Sequence, residues 1–190
     1  DTHFGKWITE AGNSDSPQFN QLVAPHIKPG DWVIDGGAYI GDQTIHYSKA
    51  VGESGRVYAF EPNPLAFECL SYNTRKMANV TRFLCGLGKE VQLASLLTSG
   101  ENYGATHLVP GDDTLVMTVD RFQIHKLDFI KLDIEGMEFF ALLGARDTIQ
   151  KFRPVIYIEV HSCLLKEMGV SFEHILQFLD GLSYQVMGID

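Results

Sequence analysis

The chain has 190 residues, with 15 Lys and Arg against 24 Asp and Glu, a formal charge of −9, and 45% hydrophobic residues. At roughly 150 residues per domain this is one domain, and the hydrophobic content excludes a chain disordered throughout. The acidic balance disfavours a nucleic-acid partner, which needs clustered Lys and Arg, while leaving room for an anion site made of backbone amides.

Three cysteines, Cys69, Cys85 and Cys163, are too few and too widely spaced for a disulfide framework or a zinc pattern. They point to a reducing, cytoplasmic compartment. No apolar run approaches the roughly 18 residues of a membrane-spanning helix. No signal peptide is visible, although a chain opening on Asp1 gives weak guidance on targeting.

Residues 1–27 read as a polar N-terminal arm, with Trp7 docked and a short helix over 18–27 that ends at Lys28-Pro29-Gly30. Residues 28–190 read as a single globular domain. Its expected elements alternate: strand 32–35, helix 42–51, strand 56–61, helix 65–77, strand 80–85, strand 127–133, helix 137–151, strand 155–160 and a helix near 172–179. Strand and helix in repetition predict a mostly parallel sheet with helices on both faces. The rhythm breaks over 90–120, where β-like runs at 91–97 and 114–119 flank a polar segment, 98–113, expected to be a functional loop. Residues 182–187 leave room for one further strand.

Four strand ends carry chemistry. Val33-Ile34-Asp35 runs into Gly36, Gly37, Ala38, Tyr39, Ile40 and Gly41, a glycine turn before a helix. Such a turn presents free amides to an anion. A pyrophosphate-binding loop would want Gly at Ala38, and Asp35 would repel it. A carboxylate there suits a cation, such as a methionine ammonium. Tyr58-Ala59-Phe60-Glu61-Pro62-Asn63-Pro64 ends the second strand on an acid that can accept the hydroxyls of a ribose.

The third, Lys131-Leu132-Asp133-Ile134-Glu135-Gly136-Met137-Glu138, places two carboxylates at a strand end. Period two would put Lys131, Asp133 and Glu135 on one side if the strand ran on. Glu138 reads as an acid favoured by a helix dipole. The fourth, Glu159-Val160-His161, puts an acid and an imidazole on one face, where His161 can serve as a general base. The other six histidines lack ligand spacing; His107 stands out because it falls in the 98–113 segment.

Taken together, these segments resemble the FkbM family of S-adenosylmethionine-dependent methyltransferases. The similarity runs from Lys28 to about His161, and also takes in Leu70, Asn73, Thr118-Val119-Asp120, Leu143-Gly144-Ala145 and Arg153-Pro154-Val155. The resemblance implies a three-layer Rossmann-like class I fold and methyl transfer, usually to the oxygen of a sugar or small-molecule hydroxyl. It implies that Asp35, Gly36, Gly37, Ala38, Tyr39, Gly41, Thr44, Glu61, Pro62, Asn63 and Cys85 bind S-adenosylmethionine. Asp133, Glu135 and His161 would then be the catalytic residues, with Asn102-Tyr103-Gly104 covering the acceptor. A divalent metal on Asp133, Glu135 and His161 is a less favoured addition. A nucleotide-binding oxidoreductase and a non-catalytic binding domain are the alternatives, and a homo-oligomer stays open.

Overall fold

A computed structural model describes residues 22–98 and 106–188. The expected arm before residue 22, its docked Trp7, and the Asn102-Tyr103-Gly104 cover lie outside the described residues. Ala24–His26 forms a short 3-10 turn around Pro25. Five strands follow in one parallel sheet: β1 (Trp32–Gly36), β2 (Arg56–Phe60), β3 (Val80–Phe83), β7 (Phe129–Leu132) and β8 (Val155–Ile158), in the order β3-β2-β1-β7-β8. A smaller sheet holds β4 (Gly86–Leu87), β5 (Gln92–Thr98) and β6 (Thr106–Met117), in the order β4-β6-β5.

The helices are α1 (Asp42–Val51), α2 (Pro64–Asn73), α3 (Glu138–Leu143), α4 (Arg146–Phe152), α5 (Ser162–Glu167) and α6 (Phe172–Gly181). The central strands are buried on both faces, as parallel sheets with helical cover require. Val33, Val57, Ala59 and Phe129 pack on one side with Tyr47 and Val51 of α1 and Leu70 of α2. Ile34, Phe60, Ile130 and Leu132 pack on the other with Leu142, Ile149, Leu165, Ile175 and Phe178 from α3 to α6.

The chain leaves β1 for β2 and β3 on one side, then returns to β7 on the other side of β1. That reversal opens a crevice beyond the carboxyl ends of β1 and β7, where open α/β sheets bind ligands.

Several expectations need correction. The 98–113 segment is not simply a loop, because its second half belongs to the long strand β6, antiparallel to β5. The polar residues Asp112, Asp113 and Thr114 mask it, and a register shift at Ala94/Ser95 breaks the alternation that would have revealed it. The helix expected over 137–151 is two helices, because the chain turns at Gly144, where the backbone of residue 88 comes close. A Cβ on Gly144 would lie 2.0 Å from the Gly88 carbonyl oxygen.

The second helix stops at Asn73 rather than Met77, with Thr74 as its C-cap. Residues 184–188 form no strand. The Tyr184 hydroxyl instead donates to Pro154 O at 2.9 Å, and the Arg153 guanidinium holds the Leu182 and Ser183 carbonyls. Helix α5 went unseen because six residues show too little periodicity.

Gly144→Ala should lower stability by about 1–3 kcal/mol, the usual scale of overpacking. Urea denaturation checks this, and a midpoint equal to that of the native sequence would contradict the close approach.

Candidate active site

The glycine turn at the end of β1 is held from three sides. The Gly37 and Ala38 amides both donate to Phe60 O at 3.0 Å, Gly41 N donates to Ala38 O, and Asn73 Nδ2 donates to Ile40 O at 2.8 Å. Gly37 has φ +76°, and a Cβ there would fall 1.8 Å from the Asp133 carbonyl oxygen. Only glycine lets the turn lie against the end of β7. Gly41, at φ +87°, opens α1 with no side chain to cap the first-turn amides.

Glu61 sits at the end of β2, nearly buried at 7% exposure. Its Oε2 accepts from Tyr39 N and its Oε1 from Asn63 N, both at 2.8 Å. The Asn63 side chain is committed to capping α2, accepting from Leu65 N and Ala66 N. Burial pushes Glu61 up to about 7, against the two backbone hydrogen bonds that favour its charge.

Beneath the turn lies a buried charge cluster. Asp35 is fully buried and accepts from the Thr44 hydroxyl at 2.6 Å. Lys131 Nζ stands 3.5 Å from Asp35 Oδ1 and 3.6 Å from Asp133 Oδ2, and donates to Gly37 O at 2.9 Å. Burial raises the Asp35 carboxyl, opposed by Lys131 and Thr44. Burial also works against the Lys131 charge, but Asp35 and Asp133 outweigh it and hold the ammonium above its ordinary value.

On the outer side, His161 Nε2 faces three carboxylates: Asp133 Oδ1 at 3.5 Å, Glu135 Oε2 at 3.9 Å and Glu159 Oε1 at 3.9 Å. Glu135 enters this group through a left-handed turn, φ +52°, rather than by strand alternation. Burial raises its carboxyl, with Asp133 and Glu159 adding to the rise and His161 and His107 opposing it. One atom each from Asp133, Glu159 and His161 fall within 4.8 Å of one another, a set that would fit a hard cation. Glu159 takes the place there that the sequence reading gave to Glu135.

The turn that carries Asp133 and Glu135 is clamped by Glu138, whose Oε1 accepts from Ile134 N and Gly136 N at 3.1 Å. Its other oxygen is buried without a hydrogen-bond partner. Glu138 is the first-turn acid of α3 expected from sequence, and it adds these hydrogen bonds. Gly136 then lets α5 pack on this turn, with Leu164 against it, which brings His161, the residue before α5, beside Glu135.

These parts line a cleft of about 170 Å³, partly open to solvent. Gly37, Tyr39, Glu61, Pro62, Cys85, Asp133 and Glu135 line it, as expected from sequence. Asp35, Gly36, Ala38, Gly41, Thr44 and Asn63 do not. They sit behind the wall and shape it, and Asp35 lies under the turn rather than in the cleft; His161 is also outside the lining, beside Asp133 and Glu135 at the rim. Lys131, Phe60, Gln43, Leu108 and Met137 line the cleft and were not singled out. Strand alternation with Asp133 was the signal available for Lys131; Leu108 was hidden in the segment read as a loop.

The Methyltransferase FkbM domain model matches residues 35–186, most of the chain. The chain belongs to the FkbM methyltransferase domain family. The FkbM domain here is 27% identical over 150 residues to hexuronic acid methyltransferase AglP of Haloferax volcanii, covering 75% of this chain and 61% of AglP. Its fold matches methyltransferase FkbM from Methylobacillus flagellatus KT, with TM-score 0.56, 19% identity, and coverage of 94% of this chain and 52% of that one. It also matches Aeropyrum pernix fibrillarin in complex with S-adenosyl-L-methionine, with TM-score 0.52, 15% identity, and coverage of 86% and 61%. This FkbM domain therefore spans between half and two thirds of the length of these relatives. The class I Rossmann-like fold expected from sequence is the fold observed.

Removing the Glu138 clamp by Glu138→Ala should cost about 1–3 kcal/mol, the scale for leaving buried amides unpaired. Glu138→Gln keeps the acceptor and loses the charge. Because burial raises the Glu138 carboxyl, the native state binds the extra proton, and stability falls as pH rises from the ordinary carboxylate range through the raised value. Glu138→Gln should therefore gain on the native sequence with rising pH, as read by denaturation at pH 5 and pH 8.

Proposed function

We propose that this FkbM domain binds S-adenosylmethionine in the cleft and methylates a hydroxyl of a small molecule or carbohydrate. The observation that carries the reading is Glu61. Its carboxylate is fixed by two backbone amides, stands at the end of β2, and faces the cleft beside the glycine turn. An ionised carboxylate is an acceptor only, and a ribose offers it two donors.

The rest of the cleft fits the same group. Phe60, Cys85, Gly86 and Leu87 give an apolar wall with backbone polar groups, suited to a flat base. At the other end, Asp133 and the first turn of α1 flank the glycine turn and suit a zwitterionic amino-acid moiety. The fibrillarin relative was solved with this cofactor bound.

When bound, S-adenosylmethionine supplies a methyl already activated on a sulfonium. The chain then has two tasks: to align the acceptor, worth up to about 7–11 kcal/mol in favourable cases, and to take its proton, worth typically about 10²–10⁴-fold. His161 is the group for the second task. Its imidazole is part-exposed, and Asp133 holds Nε2 at 3.5 Å. Glu135 and Glu159 complete a rim of acceptors that would bind neighbouring hydroxyls of a polyol.

A sugar acceptor is supported by the AglP relative, which acts on a hexuronic acid. A charge of −9 supports an acceptor other than nucleic acid. Among the described residues no helix is long and apolar enough to cross a membrane, consistent with a cytoplasmic enzyme.

The second reading places a divalent ion on Asp133, Glu159 and His161. With His161 as the base, turnover should survive EDTA; loss on chelation with recovery on Mg²⁺ would favour the ion.

The cofactor reading is tested by titrating S-adenosylhomocysteine calorimetrically at several pH values. Glu61 is held near 7 and must ionise to receive hydroxyl donors well. Affinity should therefore rise with pH through about 7 and be roughly tenfold weaker at pH 6 than at pH 8. Glu61→Gln should flatten that dependence and weaken binding at pH 8. A folded chain that binds no S-adenosylhomocysteine would refute the reading.

A further inference from the structure

We propose that Lys131 is a positioning residue that ties the cofactor-binding turn to the acceptor-side carboxylate, so that one buried ammonium sets the geometry of both halves of the site. This rests on the reading of the cleft as an S-adenosylmethionine site.

An ammonium has three donors and no acceptor. Three oxygens around Nζ come from three separate segments: Asp35 of β1, Gly37 of the turn and Asp133 beyond β7. The distances rank these contacts. A lysine present only to neutralise Asp35 would place its shortest bond there. Instead the 2.9 Å hydrogen bond goes to the Gly37 carbonyl. Asp35 Oδ1, at 3.5 Å, is left without a hydrogen-bond partner. The best-directed interaction of Lys131 is thus with the turn that faces the ligand.

The link continues outward. Asp133 turns Oδ2 to Lys131 and Oδ1 to His161 Nε2. Thr44, Asp35, Lys131, Asp133 and His161 form a contiguous path from the first turn of α1 to the acceptor rim. Asp133 follows β7 directly, two positions after Lys131, and its Oδ2 stands 3.6 Å from Lys131 Nζ. The side chain of Lys131 is only 3% exposed, so water cannot readily replace it.

Two roles make opposite predictions for a neutral pair. If Lys131 only compensates the buried Asp35 charge, removing both charges restores a working site. If Lys131 positions the turn and Asp133, removing both restores the fold but not the site. The experiment compares the native sequence, Lys131→Met and Asp35→Asn/Lys131→Met. It uses S-adenosylhomocysteine calorimetry and the imidazole ¹⁵N signals of His161, assigned through His161→Gln.

The double variant should fold cooperatively, bind S-adenosylhomocysteine at least tenfold more weakly, and show moved His161 signals. The single variant, where it folds, should share both signatures. The proposal is overturned if the double variant binds within twofold of the native sequence or keeps native His161 signals. It is equally overturned if the double variant does not fold, because the ammonium is then a fold requirement. Failure of the native sequence itself to bind would strike the cofactor reading instead.

Discussion

Everything in the site depends on two backbone segments meeting at the carboxyl end of the sheet. The turn after β1 lies so close to the end of β7 that a Cβ at Gly37 would stand 1.8 Å from the Asp133 carbonyl oxygen. Asp133 N in turn donates to Gly36 O at 3.2 Å. This contact exists because the chain reverses its direction of sheet growth at β1, making β1 and β7 neighbours. It brings the turn, whose Gly37, Ala38, Tyr39 and Gly41 amides are taken by Phe60 O, Glu61 Oε2 and Ala38 O, within reach of a strand end rich in carboxylates. Two carboxylates, the fully buried Asp35 and the part-exposed Asp133, then both reach Lys131, which lies between them.

In the proposed reading one side of the site receives the cofactor and the other the acceptor, and the electrostatics of the two differ. On the cofactor side Glu61 is a single acid, held by neutral amides and raised by burial to about 7. Its charge is available but not idle, because donors entering the cleft stabilise it. On the acceptor side His161 is ringed by three carboxylates from three chain positions. Such a ring favours neutral donors and disfavours an anionic group brought against it. A hydroxyl fits this side better than a carboxylate does. That sets a chemical limit on how far the substrate of AglP can guide the choice of acceptor here.

The main sheet was legible in the sequence because its strands are buried on both faces and read as short apolar runs, each closed by glycine, proline or an acid. The strand ends carrying Glu61, Asp133, Glu135 and His161 could be found for the same reason. The small sheet was not legible. In β6 the run Pro110-Gly111-Asp112-Asp113 looks like a turn, yet it lies within the strand, skipped by a register shift between the Ala94–Thr114 and Ser95–Val109 pairs that no periodicity announces.

The site residues divide along a related line. Local pattern identified which residues sit near the crevice. It could not tell which face it. Asp35 and Thr44, read as ligand contacts, lie behind the cleft wall, while Lys131, read as a strand residue, lines the cleft. Facing depends on tertiary placement: the depth of the turn over Asp35, and the closeness of Gly37 to β7. Asn63 shows the same effect, with its side chain spent on a helix cap and only its backbone amide serving Glu61.

The central claim is that the crevice at the reversal point holds S-adenosylmethionine with Glu61 on its ribose. A crystal structure of the chain with S-adenosylhomocysteine tests it most directly. The account predicts both ribose hydroxyls within hydrogen-bond distance of the Glu61 carboxylate and the amino-acid end between the glycine turn and Asp133. S-adenosylhomocysteine seated elsewhere, or in the crevice with its ribose away from Glu61, would contradict it.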